Sequence, residues 1–183
     1  MNPTSKSSYW TEKLEEEREQ KASTASYIIY KEEDTGIIYA KNGDTGLVDF
    51  SGTDAATVIQ NAINNIDAGV IYIKRHNNLT GKYTINQQIT AKPGIFLKSD
   101  GAFLDLSQLN DTAFIFGSDS EYTPYLPNLT GLSGFYIEGS KSNANTKVAI
   151  ISNIERNVVV KNLYMHDVSN GIEIRGGVIQ CGT

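Results

Sequence analysis

The sequence predicts an all-β fold: a parallel β-solenoid closed at one end by a single capping α-helix, and preceded by a short helix and a small β-meander. Three observations predict it. One compact amphipathic helical stretch lies between Ser51 and Gly69. Beyond it, short apolar strands recur up to Ile174 and can be written over one another as successive layers. The breaks between them are Asn, Gly and Ser rather than the two-residue turns of hairpins, which argues against a β-sandwich.

The first segment, residues 1–25, reads as a helical arm. Thr11 to Lys21 are nearly all polar helix formers, and only Tyr9, Trp10 and Leu14 can be buried, so such a helix needs a partner. Docking on the solenoid end, pairing with copies of itself and a solvated arm all remain open. Residues 26–50 follow as a meander. The units DTGIIYAKNG and DTGLVDFSG begin at Asp34 and Asp44, and Asp-Thr-Gly turns separate expected strands at Tyr27–Lys31, Gly36–Lys41 and Leu47–Phe50.

The third segment, residues 51–183, opens with the helix. Thr53 is the expected N-cap and Asp54 the first-turn carboxylate, and Ala55, Val58, Ile59, Ala62, Ile63 and Ile66 form one apolar stripe. Gly69 is the expected stop. Layers follow. Ile71/Ile73, Tyr83/Ile85 and Ile89 begin the first, and Ile95/Leu97, Leu104/Leu106 and Phe114/Phe116 form the second. Leu132, Phe135/Ile137 and Val148/Ile150 form the third, and Val158/Val160, Leu163/Met165 and Ile172/Ile174 the last. Three short strands per layer predict a three-walled coil, each buried Ile, Leu or Phe contributing about 1.5–3 kcal/mol. The final GGVIQCGT carries no polar closing segment, so truncation within a layer is expected.

Composition bounds the function. Twenty-one acidic against sixteen basic residues leave a net charge of −5, which argues against a nucleic-acid partner. No apolar run approaches the roughly 20 residues that span a bilayer. Cys181 is the single cysteine, read as a small core residue, so packing alone must hold the fold. The N-terminus shows no secretory signal, so the expected extracellular or cell-surface setting requires either a signal already removed or another route, for instance carriage on a virion. Sequons at Asn78, Asn110 and Asn128 are no more than this Asn- and Thr-rich composition produces by chance.

Period-two geometry turns Tyr136, Glu138, Tyr164 and His166 outward if Ile137 and Met165 face in, stacking tyrosine on tyrosine and Glu138 on His166, with Asp105 extending the row. Aromatic platforms beside polar groups suit sugar rings. Ordinary solvated strand residues are the competing reading. Glu173 and Arg175 also point out; Arg175 is a basic group for an acidic sugar, or the pair is simply a charged face that discourages aggregation. His166 and Asp167 form an acid/base pair only if Asp167 already lies in a turn.

The segments TDAATVIQNAINNID, GVIYIKR, GKYTINQQI and GIFLKSDGAFLDL, with the coil NVVVKNLYMHDVSNGIEI, resemble the right-handed parallel β-helix superfamily of pectate lyases, polygalacturonases, rhamnogalacturonan-degrading enzymes and viral tail spikes. The resemblance covers Ser51 to Ile174. It implies a protein that binds polysaccharide and, only if later coils supply the catalytic groups, cleaves it as a lyase or hydrolase; the alternative is a structural or adhesive module of the tail-spike or surface-fibre kind, in which the charged first helix would form a homotrimer seam. The catalytic motifs do not carry over. The paired aspartates, Gly-His-Gly and Arg-x-Lys of the hydrolases are missing, and at Val168-Ser169-Asn170-Gly171 an amide stands where a base is needed. No cofactor is expected; calcium is implied by the lyase resemblance alone.

Overall fold

The computed structural model describes residues 25–78, 81–117, 129–152 and 158–175. The N-terminal arm, Cys181, Asn128 and the final GGVIQCGT lie outside the described residues.

The apolar stripe after Ser51 folds as helix α1 (Ala55–Asn64), burying Ala55, Ala56, Val58, Ile59, Ala62 and Ile63. Its N-cap is Asp54 rather than Thr53: the Asp54 carboxylate accepts the Thr57 amide at 2.6 Å. Burial pushes that carboxyl up, but the bonds from Thr57 and Asn86 outweigh it and hold it below the usual range. The helix ends at Asn65, whose amide donates back to the Asn61 carbonyl while the Ile66 amide donates to that of Ile63. Gly69 is therefore not the stop; it opens the next strand at a φ of 144°.

Before the helix, β1 (Tyr27–Lys31), β2 (Ile38–Asn42) and β3 (Val48–Gly52) form an antiparallel meander. Buried Tyr27 ties it to the helix: its hydroxyl donates to Asp49 at 2.5 Å and accepts from Asn65 at 2.6 Å. After the helix come β4 (Gly69–Ile73), β5 (Lys82–Thr84), β6 (Ile89–Ala91), β7 (Ile95–Asp105) and β8 (Thr112–Phe116). Next are β9 (Thr130–Glu138), β10 (Lys147–Ser152), β11 (Val158–Lys161), β12 (Tyr164–His166) and β13 (Asn170–Arg175).

The expected three-walled solenoid is not what forms. The strands divide between two sheets, one mixed and nine-stranded with the path β11-β9-β7-β4-β1-β2-β3, the other parallel and four-stranded in the order β13-β10-β8-β6, and neither closes into a coil. Two physical causes account for the difference. The meander is not a separate unit, because β1 pairs in parallel with β4 and brings antiparallel strands into the same sheet. Two expected walls also fuse, because β7 and β9 run unbroken through a corner. One half of β7 pairs with β4 and the other with β5; β9 likewise pairs with β11 and then β12. The corner is a stack of left-handed residues, Gly101 (φ 110°), Gly134 (φ 86°) and Asn162 (φ 53°).

Between the sheets, Ile71, Leu97 and Leu132 stand in one column and Leu104 and Ile137 in another, facing Phe114, Phe116, Ala149 and Ile151. In β10 the register differs by one residue from expectation: Ala149 and Ile151, not Val148 and Ile150, pair with Ile172 and Ile174. At this end of the core, Val160, Met165 and Ile174 are exposed. At the other end, helix α1 packs against β2, β3, β5 and β6. Its Gln60 side chain covers the free edge of β6, accepting from the Thr90 amide at 2.8 Å and donating to the Thr90 carbonyl at 2.9 Å.

Candidate functional site

Beyond the corner, the outer surface of the nine-stranded sheet carries two rows set by parallel register. One is Lys82, Phe103, Tyr136 and Tyr164; the other is Thr84, Asp105, Glu138 and His166. Parallel strands put equivalent residues about 4.8 Å apart, so the rings form a ladder across the strands rather than along one. Tyr136 and Tyr164 are 51% and 58% exposed, and their ring centroids lie 5.3 Å apart with the planes tilted by 40°. The rings contact each other and keep their outer surfaces exposed.

Polar groups flank the ladder. The Lys82 ammonium donates to Glu138 at 2.7 Å and sits 4.6 Å above the Phe103 ring. The bond to Glu138 holds this ammonium above its usual range, burial opposes the shift, and Asp105 and Glu138 add to it through their charge. The Asp105 carboxylate accepts the Ser107 amide at 2.9 Å and so serves the turn that follows. Asp167 is left-handed at φ 52°, and this turn brings its carboxylate 3.1 Å from His166 Nδ1, with Lys141 at 3.6 Å.

Two hollows adjoin the rings. A cleft of about 330 Å³ lies among Arg75, His76, Gly101, Phe103 and Tyr136. A second, of about 370 Å³, follows the corner past Asp100, Tyr136, Asn162 and Tyr164. Gly81 permits the first, since a Cβ there would collide with the His76 ring.

The structure thus gathers Asp105, Tyr136, Glu138, Tyr164 and His166 on one face. It places Glu173 and Arg175 elsewhere, on β13 of the four-stranded sheet. There Arg175 Nε donates to Glu173 at 2.7 Å and Lys147 at 3.0 Å, and these bonds hold the Glu173 carboxyl down to about 2. Phe103, Lys82, Arg75, His76 and Asp100 join the face without having been singled out in the sequence. Phe103 was within reach of the period-two argument, because Leu104 and Leu106 face in and Asp105 faces out. Arg75 and His76 lie outside any strand and carry no such pattern.

The arrangement can stack sugar rings and bond their hydroxyls. Glu138 is engaged by Lys82, Asp105 by a turn amide and Asp167 by His166 and Lys141. The calcium implied by the lyase resemblance does not fit either: among the described residues no three acidic, His or Cys side chains converge as metal ligands. No helix among the described residues is long and apolar enough to cross a membrane. No family model, curated protein or solved structure matches the chain, so the reading of this face rests on its own geometry.

Proposed function

We propose that this protein binds a polysaccharide on the aromatic ladder Phe103, Tyr136 and Tyr164, without cleaving it there. The observation that carries the proposal is the exposed, in-register pair Tyr136 and Tyr164 beside two hollows lined in part by polar groups. A glycan lying across the strands meets one ring per strand, its apolar CH faces on the rings and its hydroxyls near Arg75, His76, Asp100 and Glu138. Such a role implies a setting outside the cell or on a virion.

Affinity electrophoresis of the protein through gels holding neutral and acidic polysaccharides tests this. The double substitution Tyr136→Ala, Tyr164→Ala is expected to lower affinity for the retained polymer by about tenfold or more, at roughly 0.5–1.5 kcal/mol per ring contact. Unchanged retardation overturns the proposal.

A structural or adhesive module is the second reading, favoured by the exposed Val160, Met165 and Ile174 at one end of the core, where further β-structure could continue the layers. A trimer by sedimentation, with no retardation in any gel, supports it over glycan binding.

A further inference from the structure

We propose a second binding surface, for a sparsely charged acidic glycan, on the outer face of the nine-stranded sheet on the other side of the corner. The cross-strand row there reads Lys41, Ile28, Tyr72, Lys98, Ser133 and Lys161, one residue from each of β2, β1, β4, β7, β9 and β11. Lys41, Lys98 and Lys161 are exposed, while Ile28 and Tyr72 are half-buried between them. The chain holds more acids than bases, yet none of these three lysines has an ion pair among the described residues. Asp100, at the corner between the two surfaces, accepts the Tyr72 hydroxyl, and burial followed by that bond raises the Tyr72 phenol. Beside the row, Ile28, Val70 and Phe96 line an apolar hollow of about 410 Å³.

Unpaired cations next to an apolar floor fit an anionic polymer with ring-shaped units, and the spacing narrows its class. At about 4.8 Å per strand, Lys98 and Lys161 are two strands or roughly 10 Å apart, and Lys41 and Lys98 three strands or roughly 14 Å apart. A nucleic-acid strand carries a charge about every 3.4 Å, far denser than this row can match. A glycan with a carboxylate on every second or third sugar matches it. The inference rests on the proposed function only in taking the polymer to be a glycan, since it uses other residues on another face.

The test compares carboxymethyl dextran of low substitution, unmodified dextran and a single-stranded oligonucleotide, by fluorescence titration. Carboxymethyl dextran is expected to bind most tightly, and to weaken as salt rises from roughly 50 to 200 mM and screening shortens the reach of the charges. Lys98→Gln, Lys161→Gln should lose that binding by about tenfold and Lys98→Arg, Lys161→Arg should restore it, with circular dichroism unchanged in both. In the Tyr136→Ala, Tyr164→Ala background, which removes binding by the ladder, the salt-sensitive preference for carboxymethyl dextran over plain dextran should persist, so failure of the ladder and failure of the lysine row are read separately. Equal affinity for plain dextran, tighter binding of the oligonucleotide, or indifference to the Gln substitutions overturns the inference.

Discussion

Gly134 shows how narrow the chemical tolerance is at the corner. Its φ of 86° is one that L side chains rarely adopt, and a Cβ there would collide with the Ser99 carbonyl oxygen. Gly134→Ala should therefore cost about 2 kcal/mol or more, read as a lowered denaturation midpoint, because backbone cannot move aside as a flexible side chain can. Asn162 fills the equivalent corner one layer on, at φ 53°, where Asn is among the few tolerated residues, so Asn162→Gly should be nearly neutral. Glu173 makes a prediction in pH. Its folded-state pKa is depressed from an ordinary 4.5 to about 2, so its contribution to stability is present above about pH 4.5 and is lost as pH falls through about 2. The melting temperature of Glu173→Gln should fall below that of the parent protein at neutral pH and converge with it near pH 2; a constant gap across that range sinks the assignment. Gly134 does not announce itself in the sequence. A glycine between short apolar runs reads equally as a turn or as a corner inside one strand, and only the partner strand decides.

At the scale of elements, the helix was legible because its apolar stripe has one period and one buried face. The placement of its cap was less so, since Thr53 and Asp54 both carry a suitable oxygen and only the geometry selects the carboxylate. The outward residues of β9 and β12 could be read because apolar and polar residues alternate there. In β10 the run Val148–Ile151 is apolar at every position, so alternation gives no register, and the observed pairing sits one residue from the expected one. Gln60 has no signature either, yet it does for β6 what another strand would do. Gln60→Ala leaves both Thr90 backbone groups to water. It should lower stability by about 1 kcal/mol and raise concentration-dependent association through the uncovered edge, measurable by denaturant titration and sedimentation.

For the whole molecule, the existence of parallel layers could be drawn from the recurrence of apolar pairs, but the number of walls could not. Three walls were expected because each layer divides into three short apolar pairs; two sheets result because β7 and β9 continue as single strands through Gly101 and Gly134. Burial is also graded from end to end. Ile71, Leu97 and Leu132 are fully buried, whereas Met165 and Ile174 in the last described layer are 39% and 48% exposed. Hydrogen exchange should accordingly be slowest at amides of β4, β7 and β9 and fastest at β12 and β13, and uniform protection would contradict this gradient.

The parallel register has a further consequence for how the chain is made. Strands β4 to β10 each wait for a partner 21 to 35 residues downstream, so a ribosome must deliver a whole new layer before the previous one is satisfied. The meander and helix, whose contacts are local, would set first and act as the template, with growth advancing in one direction only. A pause in translation midway through a layer would leave a sticky, half-dressed surface waiting for its cover.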